Sequence, residues 1–190
     1  MDYSLLSKYR GQLMGLAIIF VALFHSSLDH SYLIVDMLCF GGDMGVDIFF
    51  LISGFGMYYA FLKKPKLLQF YMKRVSRIVP AWFIVNLIIR FQEDDLTSID
   101  KLFLLKTMTG FSFWIDGNLY FWYVSAILAF YLITPLFMFL YQKKKHYAYL
   151  TFSIIWFLLL GMSFVAHNAS YFIFLFRWPV FFLGIYLGEC

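Results

Sequence analysis

The sequence predicts an all-α fold, a polytopic membrane helix bundle of about six transmembrane helices with a cytoplasmic interfacial helix. Three observations predict it. Of the 190 residues, 63% are hydrophobic and 14% charged, more apolar surface than a soluble domain of this size hides in its interior. The apolar residues gather in runs that approach the ~20 residues a bilayer crossing requires. The chain also carries 25 Phe, 14 Tyr and 5 Trp, and Tyr and Trp suit the two membrane–water interfaces, where one end of the ring system stays wet.

The runs fall in order along the chain. The first spans Leu13–Leu28 and ends in His25, Ser26, Ser27 and Asp29. It has no small-residue cleavage site, so it reads as a retained span and not as a signal peptide. The second runs over Gly42–Leu62, the fourth over Leu119–Leu140, the fifth over Tyr147–Phe164 and the sixth over Tyr171–Leu187. The third, Ile78–Phe91, is short, and charge decides its assignment. With six crossings and a cytoplasmic N-terminus, Lys8, Arg10, Lys63, Lys64, Lys66, Lys73, Arg74, Arg77 and Lys143–Lys145 all face the cytoplasm, 11 of the 15 basic residues. Without the third crossing the Lys143–Lys145 cluster moves outside. The positive-inside rule therefore places both ends of the multi-pass chain inside.

Two stretches suit a membrane surface. Leu67–Val79 mixes Lys73, Arg74 and Arg77 with Leu67, Leu68, Phe70, Tyr71 and Val75, the pattern of a helix lying on the cytoplasmic face. Lys101–Trp114 suits the outer face, after the acidic loop Glu93, Asp94 and Asp95. No internal repeat or low-complexity linker divides the chain, which reads as one domain or part of one.

The net charge of +4 sits in short loops, where it sets orientation, and no nucleic-acid module accompanies it. Cys39 and Cys190 fall on opposite membrane faces and are not expected to pair. No CxxC or His/Cys cluster suggests a metal. Walker, GxSxG and HExxH patterns are absent, and no resident cofactor is expected.

Four groups carry chemical potential. His25 lies near the outer end of the first span, and an ionisable group inside a membrane usually has a task or a partner. A neutral imidazole suits a general base near pH 7. Asp29, four residues on, lies on the same helix face and could orient the ring. The other reading is an interfacial histidine that touches water. In the second span, Asp43 and Asp47 share a face among Gly41, Gly42, Gly45, Gly54 and Gly56. They form either a polar cavity wall or the wet end of a packing face. The basic segment Lys73, Arg74 and Arg77, ending at Pro80, suits either phosphate recognition or lipid-headgroup anchoring. Arg177, in the last span, either pairs with Asp43 or Asp47 or snorkels outward.

These segments are recognisable together. GVDIFFLISGF followed by FYMKRVSRIVPAW resembles the hallmark of the membrane acyltransferase 3 family: a glycine, an aspartate-containing FF…SGF helix and a basic segment ending in R-I-x-P. LMGLAIIFVALFHSS, FWYVSAILAFYLITPLF and FRWPVFFLGIYLGE resemble further elements of that family, so the likeness covers essentially the whole chain. It implies a bacterial enzyme that moves an acyl group, commonly acetyl from acetyl-CoA, to a hydroxyl of an envelope polysaccharide or lipid-linked glycan. His25 matches the essential histidine and Arg74 and Arg77 match the basic pair. Gly45, Asp47, Phe50, Ser53 and Gly54 match the signature helix.

The resemblance implies direct transfer, with acyl-CoA phosphates on Arg74 and Arg77 and His25 as base. A covalent intermediate on Ser53 is disfavoured by its place in a packing motif. Two departures bear on this. Met14 stands where many members have arginine, and Arg10, one turn earlier, is the expected substitute. Ile127 and Leu128 stand where many sugar acyltransferases carry a glutamate pair, which leaves the acceptor open. The family has roughly ten spans of about 20 residues, so six spans read as an N-terminal fragment or truncated frame. A non-catalytic transporter or flippase-like component, or an inactive remnant, is the rival reading. A transporter would favour inverted repeats or paired broken helices, and neither is seen.

Overall fold

A backbone in lipid must satisfy its N–H and C=O groups within the segment, so an apolar run that crosses does so as a helix. A computed structural model of the chain describes residues 4–26, 36–37, 41–63, 66–92, 101–119, 122–166 and 169–189. Among them the regular elements are helices: α1 (Ser4–Lys8), α2 (Arg10–Phe24), α3 (Asp43–Leu62), α4 (Leu67–Gln92), α5 (Lys101–Thr109), α6 (Phe111–Ile115), α7 (Trp122–Lys143), α8 (Lys145–Ala166) and α9 (Ala169–Glu189). Cys39 and Cys190 lie outside the described residues.

Among the described residues, four helices are long and apolar enough to cross a membrane: α3, α7, α8 and the Ser170–Glu189 part of α9. The sequence led to six. The first run is helical over the 15 residues of α2, and the last two residues of the expected span, Ser27 and Leu28, lie outside the described residues. The expected surface helix and third span are one element, the 26-residue α4. Pro80 suggested a boundary, but the helix continues through it, as membrane helices tolerate prolines where the freed carbonyl finds another partner. The first half of α4 then carries Lys73, Arg74 and Arg77, which separates it from the wholly apolar helices.

The chain forms two compact units, Lys64–Phe176 on one side and Met1–Lys63 with Arg177–Cys190 on the other. Helix α9 contributes residues to both.

In the unit of Met1–Lys63 and Arg177–Cys190, glycines set the packing. A Cβ on Gly45 would lie 2.5 Å from the Ala17 carbonyl oxygen and 3.1 Å from Val21. A Cβ on Gly54 would collide with the Phe181 carbonyl, and one on Gly184 with the Leu51 carbonyl. A Cβ on Gly188 would meet Tyr58 at 2.8 Å. Backbone therefore touches backbone, the close approach that small residues permit in membranes. The order of these contacts makes α2 antiparallel to α3, and makes α9 parallel to it.

In the unit of Lys64–Phe176, aromatic rings fill the core. Phe113, Phe130 and Phe137 are fully or almost fully buried. Phe137 of α7 meets Tyr149 and Phe152 of α8 edge-on at 5.2 and 5.0 Å. The stretch Lys101–Trp114, expected at the outer surface, divides at Gly110, which takes φ +77° between α5 and α6. There the Ser125 hydroxyl donates to the Gly110 carbonyl at 3.0 Å. Ser170 and Tyr171 of α9 donate to the carbonyls of Gly117 and Trp114 at 3.2 and 2.9 Å. Pro179, lacking an N–H, releases the Leu175 carbonyl, and the Trp156 indole N–H takes it at 2.8 Å. Neighbouring helices commonly repair prolines in this way.

The glycine contacts differ enough to be tested in pairs. Gly54→Ala should lower stability by about 1–3 kcal/mol, the usual cost of overpacking. Gly161→Ala, where nothing lies within 4 Å of the added carbon, should be neutral or slightly stabilising. Thermal denaturation of both variants in detergent separates a close helix contact from a general intolerance of alanine.

Candidate functional site

The end of α2 and the beginning of α3 lie side by side because Gly45 rests on Ala17 and Val21. His25 follows Val21 by one turn, and its backbone N–H still donates to the Val21 carbonyl at 3.2 Å. Its side chain is exposed, with the ring edge-on to Phe24 at a centroid distance of 5.2 Å. Asp29, the expected orienting carboxylate, lies outside the described residues.

Asp43 is the first residue of α3, after Gly42 as N-cap. The helix dipole favours an anion there. Asp47 follows one turn later, on the same side. Both carboxylates meet Arg177 of α9. Its Nη2 donates to Asp43 Oδ2 at 2.5 Å, and its Nε lies 2.8 Å from Asp47 Oδ1. The second contact is an ion pair without the alignment of a hydrogen bond. Of pairing and snorkelling, pairing prevails: the Arg177 side chain is 13% exposed, against 54% for Asp43 and 37% for Asp47. A planar fork with several donors can span two acids in this way, where an ammonium could not hold the same geometry. Among the described residues, one cation serves both carboxylates.

The rest of the signature helix is structural. Phe50 is fully buried and Gly54 makes the backbone contact with α9. Ser53, half-buried, lies between Ile52 and Gly54 within that packed stretch.

Arg10 occupies the other end of α2. Its guanidinium lies 3.6–3.8 Å from the position a Cβ on Gly56 would take. Fifteen residues separate it from His25, an axial distance of roughly 22 Å. Arg10 thus fills the space left by Gly56 and does not reach the histidine's end of the helix.

The basic segment lies in the other unit. Lys73 and Arg77 are exposed on α4, whereas Arg74 is half-buried. The Arg74 guanidinium sits 5.6 Å from the centroid of Phe70 and 5.6 Å from that of Tyr131. Both rings are buried. Next to them the Tyr71 hydroxyl donates to the Leu132 carbonyl of α7 at 3.3 Å. Pro80 lies further along α4, exposed. Phe70 was legible as a partner, since it lies four residues before Arg74 on one helix face. Tyr131 had no such signal, being distant in sequence.

A cavity of about 300 Å³ opens in the same unit among Trp114, Leu159, Met162, Ser163, Tyr171 and Phe174. Its walls are almost entirely carbon, and the Tyr171 hydroxyl is engaged with the Trp114 carbonyl. Among the described residues no group of three or more His, Cys, Asp or Glu is arranged to hold a metal ion.

A family model for an acyltransferase domain, Acyl_transf_3, matches residues 13–189. The match includes His25, both aspartates, the basic segment and Arg177. No curated relative and no solved structure matches the chain.

The ion cluster generates its own expectation. Arg177→Met should cost about 1 kcal/mol, because it leaves two partly exposed carboxylates without their cation. Adding Asp43→Asn and Asp47→Asn should recover part of that loss, because no charge is then unpaired. Urea or thermal unfolding of the single and triple variants in detergent measures the difference; a triple variant less stable than the single one would contradict the pairing.

Proposed function

The chain belongs to the acyltransferase family whose model spans residues 13–189, and from that premise we propose that it transfers an acyl group from acyl-CoA to a hydroxyl of a cell-envelope carbohydrate. Acetyl is the group proposed, and a polysaccharide or lipid-linked glycan the acceptor. The family match carries this reading. Membership supports acyl transfer, and the residue roles rest on chemistry.

His25 is the proposed general base. It takes the proton of the acceptor hydroxyl as that oxygen attacks the thioester carbonyl. The tetrahedral oxyanion then collapses, the carbon–sulfur bond breaks and coenzyme A leaves as thiolate, to be protonated in turn. The exposed position of His25 at the end of α2 supports access by a hydroxyl. Asp29 is the proposed orienting carboxylate. Lys73, Arg74 and Arg77 are the proposed contacts for the donor's phosphates, since guanidinium forks match phosphate oxygens in pairs. Arg10 is proposed as a further donor contact. Asp43 and Asp47 are proposed to border the acceptor path, with Arg177 holding them.

The proposed topology has six crossings, with the N-terminus in the cytoplasm of a plasma-membrane protein. The direction of the helices supports it. Helices α3 and α9 run parallel through their glycine contacts. If α7, α8 and α9 all cross, parallel packing requires one more crossing between α3 and α7, and α4 with its apolar second half is the natural segment. The charge distribution leads to the same count.

Two experiments follow. In membranes containing the chain, label from radiolabelled acetyl-CoA should enter envelope glycans, and His25→Gln should reduce incorporation by at least the 10²-fold typical of a lost general base while leaving insertion intact. Retained incorporation in that variant would remove His25 from the role. For topology, a single cysteine at Thr97, with Cys39 and Cys190 replaced by serine, should react with a membrane-impermeant maleimide from outside in intact cells. Labelling only after permeabilisation would overturn the third crossing.

A further inference from the structure

The helix that carries Lys73, Arg74 and Arg77 treats its three cations differently. Lys73 and Arg77 project into exposed positions, and Arg74 is turned towards α7. The cost of bringing a charge against an apolar helix is offset in a specific way: two aromatic faces lie within cation–π range of one guanidinium, each at 5.6 Å. That distance falls inside the ~6 Å over which a ring quadrupole attracts a cation.

Both rings are held. Phe70 is 3% exposed and lies one turn before Arg74 on the same helix. Tyr131 is 8% exposed and belongs to α7. On one side of Tyr131, buried Phe130 stacks on Phe174 at 4.7 Å. On the other, the Leu132 carbonyl accepts the Tyr71 hydroxyl at 3.3 Å. These contacts hold α7 on either side of Tyr131, whose ring is itself buried. Two rings within reach of one guanidinium restrain where its charge sits, and ordering it beforehand lowers the entropy lost on binding.

We propose that Tyr131 and Phe70 are positioning residues that hold the Arg74 guanidinium in place for recognition of an oxyanion, the phosphate of the acyl-CoA donor; this rests on the reading of the basic segment as the donor's phosphate contact. Tyr131 touches the cation and acts through it. Its contribution is electrostatic as well as steric, because the attraction depends on the electron density of the ring face.

The test is equilibrium binding of coenzyme A to the full chain in nanodiscs. Arg74→Ala establishes whether Arg74 contacts the donor, and should weaken binding by at least about tenfold, the loss of one charge-assisted contact. Tyr131→Leu should weaken it about 3- to 20-fold, the range of a partly buried cation–π contact. The decisive series keeps the shape of the ring: Tyr131→Phe as reference, then mono-, di- and trifluorinated phenylalanine at the same position. Binding should weaken step by step with fluorination, because fluorine drains the ring face with little change in size. A flat series, with Arg74→Ala still weak, would overturn the positioning role and leave the phosphate reading standing. Wild-type affinity in Arg74→Ala would overturn the phosphate reading itself.

Discussion

Helices in lipid gain little from burying apolar surface against each other, since hydrocarbon tails are as apolar as leucine. What remains is contact at close range, and here the contact is backbone on backbone. Gly54 rests on the Phe181 carbonyl, and Gly184 on that of Leu51. No larger residue fits at either position without moving a helix axis. This crossing brings the last helix to the signature helix. One end of it juxtaposes Arg177 with Asp43 and Asp47, and further along Gly188 meets Tyr58. The motif glycines of the family thus act as geometry, and the charges near them depend on it.

Charge inside the apolar helices is handled in two chemical ways. Near the first turn of α3, Arg177 is neutralised by carboxylates, which places three ionisable groups in one cluster. On α4, the Arg74 guanidinium lies over two aromatic faces, which attract a cation through their quadrupoles.

Much of this was legible beforehand, and the limits have physical causes. Four spans were readable because a run of about 20 apolar residues has few other stable solutions. Asp43 and Asp47 were readable as neighbours because residues four apart share a helix face. The surface helix Leu67–Val79 and the span Ile78–Phe91 read as separate elements and are one helix, α4, because Pro80 in sequence does not reveal whether the surrounding helix tolerates one missing hydrogen bond. Arg10 was expected to substitute for an arginine at the position of Met14. Its contact with Gly56 depends on how α3 lies against α2, which no local pattern records.

The sequence by itself determined what each segment had to become: apolar length made helices, and the motifs made the chain an acyltransferase family member. Tertiary structure alone decided which side chains meet. Arg177 could have reached water or an aspartate, and it took the aspartates because two glycines let α9 approach α3. Arg74 could have lain on the surface, and it turned inward because α7 presents Tyr131. Helix formation is local, decided within a few residues by hydrogen bonding and solvent. Partner choice depends on contacts between residues far apart in the chain, and those exist only once the helices have packed.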